Sequence, residues 1–201
     1  MSLDRRSQIL QAGARCIARH GIRGLRITDV AAEAGVASGL LYYHFTDRSG
    51  LLAATLDYIN EQVAQARDAA TATDLAPIAR LSRRLTDEFS DDPQLRDNSA
   101  AWNELRALAV FERDLRDALA RTTAGWNAEV TALVEDAQRS GELTDVADPA
   151  TISAALTALV EGLSGRWLSG EVSTQDAHHT IDTLLDGLRP AATGKDPQPC
   201  N

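Results

Sequence analysis

Residues 38–48 gather a hydroxyl, two phenols, an imidazole and a guanidinium: Ser38, Tyr42, Tyr43, His44 and Arg48. Thr28 precedes them, and Arg5 and Arg6 stand near the chain's start. Each of these side chains can donate a hydrogen bond, and the arginines carry fixed charge. No nucleophile–base pair lies among them. The stretch ITDVAAEAGVASGLLYYHF (27–45) has the physical requirements of a helix-turn-helix. Ala31 and Ala32 are small enough for one helix to lie closely on the next. Gly35 falls at the turn, where a left-handed backbone is needed. Val36 and Leu41 can wedge between the two helices. The second helix then offers Ser38, Gly39, Leu40, Tyr43 and His44 along one side, the side that would enter a major groove. A glycine between two short helices also occurs in many unrelated proteins, and Tyr42 fits a core as well as it fits a phosphate.

A second set of side chains lies further along. Phe89, Trp102, Phe111, Trp126 and Trp167 sit amid aliphatic residues, with Glu104 and Glu129 nearby. Aromatic rings beside carboxylates can line a cation site. The same spacing equally describes core packing, and an apolar or aromatic ligand would use the same walls. Towards the end, Ala155, Leu156, Leu159, Gly162 and Leu163 are followed by Leu184, Leu185 and Leu188. Small residues permit close helix approach and the leucines add apolar area, so two such helices could meet their twins in a four-helix interface. The alternative is packing within one subunit. His178 and His179 are adjacent and would point apart on a helix, so no metal is expected, and no cofactor motif or phosphate loop occurs. Cys16 reads as a small buried residue. An enzyme is not expected.

The elements that must position these groups read as helices throughout, about nine, in an all-α fold. The expected spans are 3–20, 28–34, 38–45, 48–70, 77–90, 95–110, 112–140, 149–168 and 173–188. Thr28, Ser38, Asp47 and Ser173 are cap candidates. Pro77 and Pro149 suit first turns, the latter after Asp148, while 91–93 (DDP) breaks the pattern. Residues 190–201 are polar and proline-rich, which predicts a disordered tail. The chain is expected to divide into a helix-turn-helix head over 1–47 and a longer helical body over 48–189; the resemblance given below implies DNA binding for the first and ligand binding and dimerisation for the second.

Composition narrows the classes. The 201 residues are 44% apolar and 24% charged, with a net charge of −9, an ordinary soluble chain large enough to bury a core without staples. The charge is uneven: residues 1–50 carry about +3 and the remainder about −12. Phosphate binding needs local rather than net positive charge. Two cysteines exclude a disulfide framework, and neither a signal segment nor a membrane helix is expected. A cytoplasmic location follows.

The stretch TDVAAEAGVASGLLYYHF (28–45), followed by DRSGLL (47–52), resembles the N-terminal domain of the TetR family of bacterial transcriptional regulators. Residues 75–188 are similar to its betaine-type, choline-responsive subgroup through Trp102, Ala109, Gly125-Trp126, SGEL (140–143) and ALVEGL (158–163). The resemblance implies a three-helix DNA-reading head, a connecting fourth helix, and a body that binds a small-molecule effector and forms a homodimer. It also implies roles. Thr28 would cap its helix and touch a phosphate. Ser38, Gly39, Leu40 and Tyr43 would face bases or sugars, while Tyr42, His44 and Arg48 would contact the backbone. Arg5 and Arg6 would reach the flanking duplex. Leu40 and Gly39 cannot make bidentate base contacts, so contact with a thymine methyl and shape readout gain weight. The expected function is a ligand-responsive regulator, a repressor released from a palindromic operator on double-stranded DNA. The alternative is a helical ligand-binding or protein-interaction module without DNA binding.

Overall fold

A computed structural model describes residues 4–68 and 74–190. The expected tail from 191 onward, with Cys200, and the expected end of the fourth helix at 70 lie outside these residues. Among the described residues there are nine α-helices and no strand: α1 (Arg5–Gly24), α2 (Ile27–Ala34), α3 (Ser38–His44), α4 (Arg48–Asp68), α5 (Pro77–Thr86), α6 (Pro93–Ala109), α7 (Arg113–Arg139), α8 (Pro149–Leu168) and α9 (Thr174–Gly187).

Several ends are set by local chemistry. Asp4 accepts from the Ser7 N–H at 2.8 Å and starts α1. Asp92 and Asp148 cap α6 and α8, each followed by proline at the first helical position. Ser173 and Asp176 form a reciprocal capping box on α9, which satisfies orphan N–H groups at that end. Asp47 accepts from the Gly50 N–H at 2.8 Å at the start of α4. Two expected caps are displaced. α2 begins at Ile27 with Arg26 in the cap position, which puts Thr28 inside the first turn. α3 begins at Ser38 with Ala37 in the cap position. Neither has a side-chain cap bond, and the α2–α3 turn instead closes through backbone groups: Gly35, at φ 65°, and Val36 donate to Ala32 and Ala31 carbonyls.

Packing produces two hydrophobic clusters. The first joins Ile9, Ile17, Val30, Leu41 and Phe45 of the head to Leu52 and Leu56 of α4, and continues through Ala101 and Leu105 of α6 and Leu115 of α7. The second holds Leu81 and Leu85 of α5, Val130 and Val134 of α7, Leu156 and Val160 of α8, and Ile181 and Leu185 of α9. α7 therefore serves both clusters, and α6 reaches the second through the partly buried Leu95. No helix among the described residues is long and apolar enough to cross a membrane.

Candidate nucleic-acid interface and ligand cavity

α3 is seven residues long and depends on its neighbours for stability, since so short a helix is marginal alone. Leu41 is buried as its anchor, and Val36 and Leu40 pack partly against the same cluster. Leu40 is thus half-buried against the head core and half open beside Gly39. Ala31 and Ala34 make the close contact of α2; Ala32 is exposed, contrary to expectation. Tyr42 and Tyr43 are 59% and 81% exposed, so the core role open to Tyr42 does not hold. Gly39 is exposed with open space where a Cβ would stand, and Ser38 and His44 are half-buried. The Tyr43 ring meets the His44 ring edge-on at 5.2 Å. The result is a convex ridge of two phenols beside a bare backbone patch.

The basic groups divide by what they already touch. Arg15 and Arg19 reach across to Glu33 of α2 at 2.7 and 3.4 Å, tying α1 to α2, and the Arg15 hydrogen bond holds the Glu33 carboxyl below its ordinary range. Arg6 lies over the Phe45 ring at 5.7 Å, and Arg5 bonds Gln8 at 2.9 Å; both are exposed. Arg48 donates from Nη2 to the Ile22 carbonyl at 2.7 Å, so one of its five donors secures the end of α1. Arg23, in the last turn of α1, and Arg26, at the cap of α2, are exposed. Neither is among the sequence-predicted site residues, although the run GIRGLRIT (21–28) places two arginines immediately before the first motif helix.

A cavity of about 550 Å³ lies between the two hydrophobic clusters, walled by α4, α6, α7 and α8 and the end of α5. Of the expected lining, Trp102, Trp126 and Glu129 are present. Phe89 and Trp167 are not: both are 2% exposed and pack edge-to-face at 5.6 Å in the body core. Phe111 is 80% exposed in the α6–α7 turn. Glu104 turns to the head, where it accepts from the Ile22 N–H at 2.9 Å. The reason is shared: rings spaced along a chain of several helices reach one cavity only if their helices rotate the same way.

Polar residues complete the walls. Asn98, Ser99, Trp102, Asn103 and Arg106 line the cavity from α6, a stripe at three- and four-residue spacing that a helical reading could have marked. Asn103 donates to Ser164 at 2.9 Å, and Arg106 pairs with Glu161 at 2.6 Å. Burial pushes the Glu161 carboxyl up despite that arginine. Arg84 is buried, paired with Glu88 and Glu129 at 2.8 Å each, and stands 5.7 Å over the Trp126 ring. Burial alone would lower its pKa, but Glu88 and Glu129 outweigh that and raise it. The lining holds Asp57, Glu61, Asp87, Glu88, Glu129 and Glu161 against Arg106 and Arg121, an acidic excess that remains when Arg84 behind Trp126 is added. No group of three or more metal-ligating side chains is found among the described residues.

On α8 and α9 the expected interface residues separate. Leu156, Leu163 and Leu185 are buried in the subunit's own core, because they share a helical face with Ile152, Val160 and Ile181. That corrects their expected place in an interface with a twin chain. Ala155 and Gly162 are exposed, along with Ala154, Ala158 and Gly165; Leu159 and Leu188 are half-buried, and Leu184 is exposed.

Residues 9–55 match the family model for bacterial regulatory proteins of the tetR family, and residues 77–190 match the model for the C-terminal domain of BetI-type transcriptional repressors. The HTH-type transcriptional regulator TtgR of Pseudomonas putida is 26% identical over 193 residues, 92% of each chain. The regulator BetI of Burkholderia thailandensis is 28% identical over 171 residues, covering 84% of this chain and 83% of that one. A crystal structure of a TetR-family transcriptional regulator from Rhodococcus sp. is 49% identical and superposes with a TM-score of 0.86, covering 92% of this chain and 99% of the other. A transcriptional regulator from Saccharomonospora viridis, crystallised with choline, shares the fold at 23% identity and a TM-score of 0.81, over 90% and 95% of the two chains.

Proposed function

The chain belongs to the TetR family of bacterial regulatory proteins, with a BetI-type C-terminal domain, and from that premise we propose a homodimeric repressor that a small organic cation releases from a palindromic operator. Its activity is DNA-binding transcriptional regulation with a ligand-binding C-terminal domain. The observation that carries the DNA side is the exposed Tyr42–Tyr43 ridge on a helix whose other face, through Leu41, is locked into the core. Tyr43 and Ser38 face the groove, with the Gly39 backbone beside them. Thr28, Tyr42, His44 and Arg48 hold phosphates, and Arg5, Arg6, Arg23 and Arg26 supply flanking charge. A single such helix gives little affinity, whereas a twofold pair reads two half-sites one turn apart. The exposed Ala155, Gly162 and Leu184 surface, with Leu159 and Leu188 at its edge, supports a four-helix pairing of α8 and α9.

The cavity is read as an effector site, without chemistry performed in it. Two tryptophans and an excess of carboxylates favour an organic cation, which rings attract through their faces. The choline bound by the Saccharomonospora viridis relative agrees with that class. An effector that binds better when the heads are spaced wrongly lowers operator affinity by the ratio of its two affinities. The protein works in the cytoplasm, where its DNA is. DNase I footprinting on the region upstream of its own gene tests the reading: two protected half-sites are expected, with protection lifted by choline chloride. Protection of no fragment contradicts the DNA assignment, and protection unaffected by choline contradicts the ligand class.

A further inference from the structure

The end of α1 is held from two sides. At Gly21 the backbone turns to φ 68°, breaking the helix, and the next residue, Ile22, makes two long-range bonds. Its N–H donates to Glu104 Oε2 at 2.9 Å, and its carbonyl accepts from Arg48 Nη2 at 2.7 Å. Glu104 belongs to α6 and Arg48 opens α4. A Cβ on Gly21 would stand 3.2 Å from the Glu104 oxygen, so the carboxylate meets the α1 backbone at an approach that glycine keeps open. The Ile22 side chain is buried in the head cluster, which makes it a rigid handle. Trp102, Asn103 and Arg106, on the same helix as Glu104, line the cavity.

We propose that Glu104 is the positioning residue that couples the cavity to the DNA-reading head. Its carboxylate fixes Ile22, and Ile22 in turn fixes Arg48 and the start of α4. This rests on the reading that the head holds DNA and the cavity an effector. A charge-assisted hydrogen bond is strong but short-ranged. A shift of α6 caused by a ligand against Trp102 and Arg106 therefore either carries the end of α1 with it or breaks the bond. Coupling between two sites is reciprocal, so DNA on the head must be felt in α6 by the same route. An effector is then unnecessary for the test.

The test compares full-length wild type, E104A and E104Q, each with a duplex from upstream of its own gene. Affinity is read by fluorescence anisotropy and backbone protection by hydrogen–deuterium exchange. In wild type, DNA changes exchange in the α6 peptide over 93–109. In E104A, exchange around 20–25 rises and the DNA-induced change in α6 falls to background, although the duplex is still bound. E104Q keeps an acceptor oxygen and restores the α6 response, which a general loss of stability would not allow. An α6 response of wild-type size in E104A overturns the proposal, as does wild type that binds DNA with no change in α6. Wild type that binds no duplex removes the DNA reading itself, and the coupling with it.

Discussion

The head and the body recognise their partners by opposite geometries. The head presents a ridge on one seven-residue helix, with Tyr43 standing almost entirely in solvent. The body surrounds a cavity with side chains from α4 through α8. A ridge needs only one buried anchor, Leu41, and a turn that fixes its angle. An enclosing site needs several helices in register, and the charges in and behind its walls need partners, which buried Arg84 obtains from Glu88 and Glu129 and the more exposed Arg106 from Glu161. The comparison teaches where each site is sensitive: the ridge to loss of its projecting groups, the cavity to the packing behind its walls.

Removing the projecting groups of the ridge has the largest expected effect. Y43A combined with R48A is expected to abolish operator binding in a gel shift, while light scattering still reports the dimer; retained affinity would show that the ridge is not the contact surface. Next in size is the shared packing of α6. Leu105 is buried in the head cluster although it belongs to a helix of the body, so L105A should cost about 2–5 kcal/mol and loosen both regions together. Thermal unfolding of the body alone, with the head's transition unmoved, would contradict the shared cluster. In the cavity, W102A should weaken choline binding by about tenfold, the scale of a lost cation–π contact in a desolvated site, measured by titration calorimetry.

The smallest effect concerns the α1–α2 tie. Glu33 has its folded pKa lowered by the Arg15 hydrogen bond, so its contribution is present above the unfolded carboxyl value and is lost as pH falls through the folded one. The pair is partly exposed, with relative side-chain accessibilities of 24% and 28%, so E33Q should cost about 0–1 kcal/mol near neutrality. The difference between E33Q and wild type should vanish on acidification; a difference that grows as pH falls would reverse the assigned sign.

Legibility followed the same division. The helix-turn-helix was readable because its determinants are contiguous: Gly35 takes the left-handed conformation that its place at the turn suggested, and Leu41 is the wedge. Helix starts at Asp148 and Ser173 were readable for the same reason, since a cap acts within one turn. Thr28 and Ser38 misled because hydroxyls near a helix start resemble caps whether or not the backbone begins one residue earlier. The cavity was half readable. Trp102 and Trp126 reached it, but Phe89 and Trp167 took the core, and composition cannot tell a wall from a core when both are aromatic. Leu156, Leu163 and Leu185 show the same limit on α8 and α9, where adjacent faces of one helix differ by a rotation that only tertiary packing sets.

DNA recognition by this protein requires the head to dock against the duplex through phosphates and groove edges. Its most direct test is operator affinity for the full-length protein, measured by anisotropy over a series of salt concentrations. The expected log Kd rises linearly with log salt, by about 0.9 for each phosphate neutralised, and the slope falls in R5A/R6A. An affinity for DNA that is absent at low salt, or that does not change with salt, would contradict it.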